Sequence, residues 1–144
     1  TVSPADDTTY LHDLITSVAG CYAVVAIDTN GNSSEMSNVV CVDIDLCDLY
    51  QLPNVFTPNG DGHNDYFMPF PYDFVERIDI QIFNRWGNVV FTTEDPDIMW
   101  DGKSQQTGND CAEGVYFYIC DVYELTLSGL NKRTLTGTVH LYRD

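Results

Sequence analysis

Apolar and polar side chains alternate along this chain over short runs, and clusters of turn-forming residues separate the runs. Ile78, Ile80 and Ile82 alternate with Asp79 and Gln81, the two-residue period of a half-buried strand. In GVYFYI at 114–119, Val115, Phe117 and Ile119 oppose Tyr116 and Tyr118. Near the end, Val139 and Leu141 oppose Thr138, His140 and Tyr142. Almost nothing carries the period of a long helix, so the pattern predicts an all-β chain. From residue 50 onward, strands are expected near 50–57, 66–69, 75–84, 88–93, 114–123, 124–128 and 134–142. Turns are expected through Trp86-Gly87 and over 128–132. About seven short strands between polar turns suggest an immunoglobulin-like sandwich.

The pattern breaks near residues 43–50, DIDLCDLY, which read as a short acidic linker. This divides the chain into a first module at 1–44, a connector at 45–49 and a second module at 50–144. In the first module Tyr22, Val24 and Ala26 share one face, DTNGNSSEMSN forms a loop, and VVCVDI closes a hairpin about Gly31. The segment resembles the last three strands of a fibronectin type III-like domain, with Tyr22 in the place of that fold's corner tyrosine. Three strands cannot cover both sheets of a sandwich. The expected architecture is therefore two tandem immunoglobulin-like sandwiches, the first incomplete, its missing strands lying upstream or coming from a neighbour. Packing of these strands on the second module is the alternative.

The most distinctive segment is LPNVFTPNGDGHND at 52–65. Pro53 and Pro58 lack the amide donor a central strand requires, and Pro58 biases Thr57 toward an extended conformation. Gly60 and Gly62 permit positive φ, so a strand feeds a tight, oxygen-rich loop. Together with IFNRWGNVVF at 82–91, WDGK at 100–103 and GVYFYI at 114–119, the segment resembles the gliding-motility-associated C-terminal domain. That is the type B sorting domain of proteins exported by the Bacteroidetes type IX secretion system. The resemblance runs from about Leu49 to the last residue and implies a secretion address with no enzymatic activity.

Charge narrows the function classes. The chain has 22 acidic against 6 basic side chains, a formal net charge of −16, which repels phosphate backbones and argues against nucleic-acid binding. A hydrophobic share of 44% suffices for a packed core, so global disorder is not expected. The longest apolar run, near Tyr22 to Ile27, is far short of the ~18–20 residues of a membrane span. No basic-then-apolar leader opens the sequence, and an exported protein is expected to carry one on a preceding part.

Cysteines 21, 41, 47, 111 and 120 form no zinc spacing and point to an oxidising compartment. Cys21 and Cys41 flank Gly31 symmetrically and are expected to form a disulfide. A strand over 114–120 spans ~20 Å, and the residues from 111 to 114 return only about half of it, against the ~7 Å a disulfide allows. Cys47–Cys120 is therefore the preferred second bridge, which leaves one thiol over.

Asn59, Asp61 and Asp65, with a carbonyl near His63, fit part of a calcium shell. An EF-hand alignment puts Thr57 first and Met68 twelfth, so the loop is not an EF-hand. The competing reading is an Asx-type turn whose side chains cap backbone amides. The aromatics Phe83, Trp86, Phe91, Trp100, Tyr116, Phe117 and Tyr118 are core or a recognition stripe, and WDGK reads as a tryptophan covering a sheet edge beside a turn. Asn32-Ser33-Ser34 fits a glycosylation sequon. Catalysis finds little support: His12, His63 and His140 are scattered, and the pairs Asp43/Asp45 and Asp95/Asp97 sit in a linker and a turn.

The resemblance implies as partners the type IX outer-membrane translocon, its shuttle protein and upstream domains of the same polypeptide, with an extracellular or cell-surface destination. The alternative is a structural module of a surface adhesin, stalk or filament, calcium-stabilised and capable of homo-assembly.

Overall fold

A computed structural model describes residues 19–43, 50–70 and 75–143. The strand anticipated before residue 19, His12, Asp45 and Cys47 lie outside the described residues. The fold is all-β. Strands β1 (Gly20–Tyr22) and β2 (Val40–Val42) form one hairpin. Strands β3 (Val55–Phe56), β4 (Val75–Phe83), β5 (Val89–Thr93), β6 (Gly114–Thr126) and β7 (Gly129–Leu141) form a five-stranded sheet of order β3-β7-β6-β4-β5. Only β3 runs parallel to its neighbour.

In the first hairpin Cys21 stands opposite Cys41, and a disulfide joins them. Beyond β1 and β2, serine hydroxyls take over from carbonyls: Val24 N donates to Ser37 Oγ (2.9 Å) and Ala26 N to Ser34 Oγ (3.0 Å). Val24 is 71% exposed and Ile27 60% exposed, so these apolar side chains of the hairpin lie open to solvent. A hydrogen bond from Leu127 N at the β6–β7 turn to Asp43 Oδ1 (3.2 Å) ties the hairpin to the second module.

Three expected strands change form. The span 50–57 contracts to Val55–Phe56, bracketed by two prolines that cannot donate to a ladder. The span 66–69 contracts to a single bridge, Phe67 to Trp100. No separate strand occupies 124–128, because β6 continues to Thr126 and turns directly into Gly129. The turn thus lies at Leu127-Ser128 rather than over 128–132, and Gly129 takes a φ of 110° there.

The inner face of the sheet carries Ile78, Ile80 and Ile82 from β4, Tyr116, Cys120 and Val122 from β6, and Val139 and Leu141 from β7, all buried. Tyr118 also turns inward, seated over Gly137, its register partner on β7. A Cβ at Gly137 would stand 2.5 Å from the Tyr118 hydroxyl oxygen, so only glycine leaves room for this ring. Loops tied by isolated bridges cover this face, and Trp100 is their centre. Its ring lies 5.1 Å from Phe56, 5.3 Å from Tyr116 and 6.1 Å from Phe91, and its Nε1 donates to Lys103 O (2.8 Å). Trp100 is 0% exposed, so it plugs the sheet face rather than covering an edge.

Cys120 is a free, fully buried thiol on this face, which corrects the expected Cys47–Cys120 bridge: its side chain is enclosed between Ile80 and Leu135 on the flanking strands. Cys111 is likewise free and buried. Burial pushes the Cys111 thiol up, and pushes Cys120 up to about 12, which keeps both protonated and unreactive.

The β5 edge is covered chiefly by Gln105, with Gln106 Nε2 donating to Val89 O (3.3 Å) beside it. Gln105 N donates to Val90 O (2.9 Å), its Oε1 accepts from Thr92 N (2.9 Å), and its Nε2 donates to Thr92 O (2.8 Å). A glutamine thus imitates a sixth strand and removes donors and acceptors that would template aggregation.

Removing the central plug is the direct test of this packing. Trp100→Ala is expected to cost about 3–5 kcal/mol in denaturant unfolding. A loss below about 1 kcal/mol would show that the loops hold the sheet without it.

Candidate recognition surface

The four motifs of the second module converge on one end of the five-stranded sheet. Register places Phe83 beside Phe117, Gly114 beside Leu141, and Phe56 beside Leu141, so the end of β4, the start of β6, the end of β7 and β3 meet there. Arg143 ties three of the adjoining loops. Its Nη2 donates to Gly102 O (2.9 Å) and its Nη1 to Pro58 O (3.4 Å). Its backbone N donates to Glu113 Oε1 (2.7 Å), and Nη2 lies 3.4 Å from Asp110 Oδ1. Gly102 is required for this approach: its φ is +77°, and a Cβ would meet Leu141 Cδ1 at 2.9 Å and Arg143 Nη2 at 3.0 Å.

The oxygen-rich loop beside Pro58 is organised by Asp65. Its Oδ1 accepts from Gly60 N (2.6 Å) and Asn59 N (3.1 Å), and its Oδ2 from Gly62 N (2.8 Å). Gly60 and Gly62, at φ 82° and 85°, let these amides point at one carboxylate. Asn59 Oδ1 accepts from Asp61 N (3.0 Å), and Asp61 Oδ1 from His63 N (2.8 Å). The structure brings Asn59, Asp61 and Asp65 together, and it gives their oxygens to backbone amides. No cluster of three or more His, Cys, Asp or Glu side chains suited to a metal occurs among the described residues. The geometry is the Asx-type capping turn.

The fourth motif forms the β4–β5 turn. Asn84 Oδ1 accepts from both Trp86 N (3.0 Å) and Asn88 N (3.0 Å), while Asn84 N donates to Asn88 O (2.9 Å). This bracing fixes the turn backbone, and the Trp86 side chain on it is 77% exposed, with the Arg85 guanidinium 5.6 Å from its ring. Trp86 shares an open groove of about 610 Å³ with Val115, Phe117, Asp110 and Glu113. The aromatic set therefore divides: Trp100, Tyr116, Phe91 and Tyr118 pack inward, whereas Trp86 and Phe117 face solvent.

Other candidate residues stay apart. His140 lies on the outer sheet face, stacked on Tyr142 with ring centroids 6.0 Å apart, and His63 sits in the capping turn. Asp95 Oδ1 accepts from Asp97 N (3.0 Å), a turn contact rather than an acid–base pair. Sequence reasoning missed the Arg143 clamp and the Gln105 edge cover, since nothing local to either residue names a partner 41 or 13 positions away.

Three amide donors, those of Gly60 and Gly62 foremost, hold the Asp65 carboxyl below its ordinary range. A depressed carboxyl contributes stability above its unfolded-state pKa, and the contribution is lost as pH falls through the folded value. Asp65→Asn is expected to lower the melting temperature at neutral pH, with the gap to the unmodified protein closing in acid. Equal melting temperatures at neutral pH would contradict the capping role. Because these carboxylates are already engaged in capping, added calcium is expected to leave the melting temperature unchanged.

None of the curated proteins compared with this chain matches it. A family model does, over residues 50–141, which include the whole five-stranded sheet and all four motifs. Its description is the CHU_C type IX secretion signal domain, a sorting signal rather than a catalytic domain. On that match across nearly two-thirds of its length, the chain belongs to the CHU_C type IX secretion signal family.

Proposed function

We propose that residues 50–144 direct a larger cell-surface or secreted protein through the type IX secretion system as a non-enzymatic C-terminal sorting domain. The family match carries this reading. The translocon and its shuttle protein are the partners, and they read the folded domain after its passage through the inner membrane. The first module is the trailing part of a fibronectin-like repeat, and its exposed Val24 and Ile27 are covered in the parent protein by further strands. The Cys21–Cys41 disulfide suits such an oxidising destination.

A second reading makes the chain a structural module of a surface stalk or filament. The bare apolar side chains of the β1–β2 hairpin favour it, since shared strands would cover them. One experiment separates the two. The full chain is fused behind a reporter with an inner-membrane export signal, in a bacterium carrying the type IX system. Sorting predicts that the reporter reaches the surface or medium, and stays in the periplasm when the translocon is deleted. A reporter retained in the periplasm despite the fusion would sink the sorting role and leave the structural one.

A further inference from the structure

Strand β6 turns its more hydrophobic side chains the wrong way for a protein that meets only water. Tyr116, Tyr118 and Cys120 face the core, while Phe117 and Ile119 are each 49% exposed and Val115 38% exposed on the outer face. Their cross-strand neighbours extend the surface. Phe117 lies between Phe83 and Thr138, Ile119 between Gln81 and Thr136, and Val115 beside His140, which adjoins Val55 on β3. None of these positions holds a carboxylate, in a chain with 22 acidic side chains. The acids stand around the patch instead. Asp79 and Asp121 face each other at the next outward rung beyond Ile119, Asp121 paired with Lys132 (2.8 Å). Asp110, 3.4 Å from Arg143 Nη2, lines the groove on the Trp86 side with Glu113 and Arg85. This leaves Asp79 and Glu113 as the acids of the border with no ion pair to a cation among the described residues.

We infer that this outer face, centred on Phe117 and flanked by Trp86, docks a partner protein whose own surface is apolar at its centre and basic at its rim. The inference rests on the sorting role proposed above and names the surface that role uses. An apolar centre within an acidic border is complementary to such a partner, and the border steers its approach. Asn84 fixes the backbone of the turn that presents Trp86, so the exposed indole stands at a defined place on the rim of the face. Among the described residues of the first module, Asp43 meets the sheet at Leu127, at the opposite end from the face. A second copy is disfavoured because it would bring two molecules of net charge −16 together.

The reporter fusion of the full chain tests this with outward-facing substitutions. Phe117→Ser combined with Trp86→Ala is expected to lower export about tenfold or more, with the purified protein melting as an intact fold. Leu130→Ser, on the same face at the far hairpin end, is expected to export normally. Ile119→Thr is the second variant should the double one fold poorly, with several-fold lower export expected. Asp79→Lys with Glu113→Lys is likewise expected to lower export several-fold, since it repels a basic rim. Normal export of the folded patch variants would overturn the inference while leaving the sorting role intact. Failure of the unmodified chain to export would remove the role and the inference with it. Sedimentation is expected to show a monomer; a dimer abolished by Phe117→Ser would assign the face to a second copy instead.

Discussion

A sheet has two faces, and among the described residues loops cover one face of the second module's sheet. That cover is loop tied by isolated bridges, so a single large side chain reaches from the loops to the sheet. Trp100 does this, with Phe56, Phe67, Phe91 and Tyr116 around it and its indole N–H satisfied by Lys103 O. Its burial decides which side of β6 is inside. Once Tyr116 packs edge-on against Trp100 and Tyr118 sits over Gly137, strand alternation turns Val115, Phe117 and Ile119 outward. The exposed patch thus follows from the core.

The family's motifs take on distinct physical roles within this frame. WDGK supplies the plug and, through Gly102, the carbonyl that Arg143 grips. The NGDGHND loop is a capping turn whose order depends on one carboxylate and two glycines at positive φ. The NRWG turn, its backbone braced by Asn84, displays an exposed tryptophan, and GVYFYI carries both core tyrosines and the outward patch. Arg143 holds the adjoining loops at a shared end. The chemistry of these segments is therefore mostly architectural, and the surface proposed for recognition is the one this architecture leaves uncovered.

Much of this was legible from residue pattern alone. The Ile78–Ile80–Ile82 alternation located β4 and its buried face, the spacing about Gly31 paired Cys21 with Cys41, and the Asn, Gly and Asp cluster announced a turn. Orientation of β6 was not legible. Tyrosine is amphipathic and serves as a core residue wherever its hydroxyl finds an acceptor, as Tyr116 does at Ala112 O (2.6 Å). Both faces of GVYFYI are thus plausible interiors until Gly137 and Trp100 are placed. The Cys47–Cys120 pairing failed for the same reason, since it required Cys120 to reach out of a face that is fully enclosed.

Whether β6 is oriented this way can be measured without reference to export, by comparing unfolding free energies of Tyr116→Ala and Phe117→Ala. The account predicts a loss of about 3 kcal/mol or more for Tyr116→Ala and less than about 1 kcal/mol for Phe117→Ala. The opposite order would place Phe117 in the core and remove the exposed patch proposed for docking.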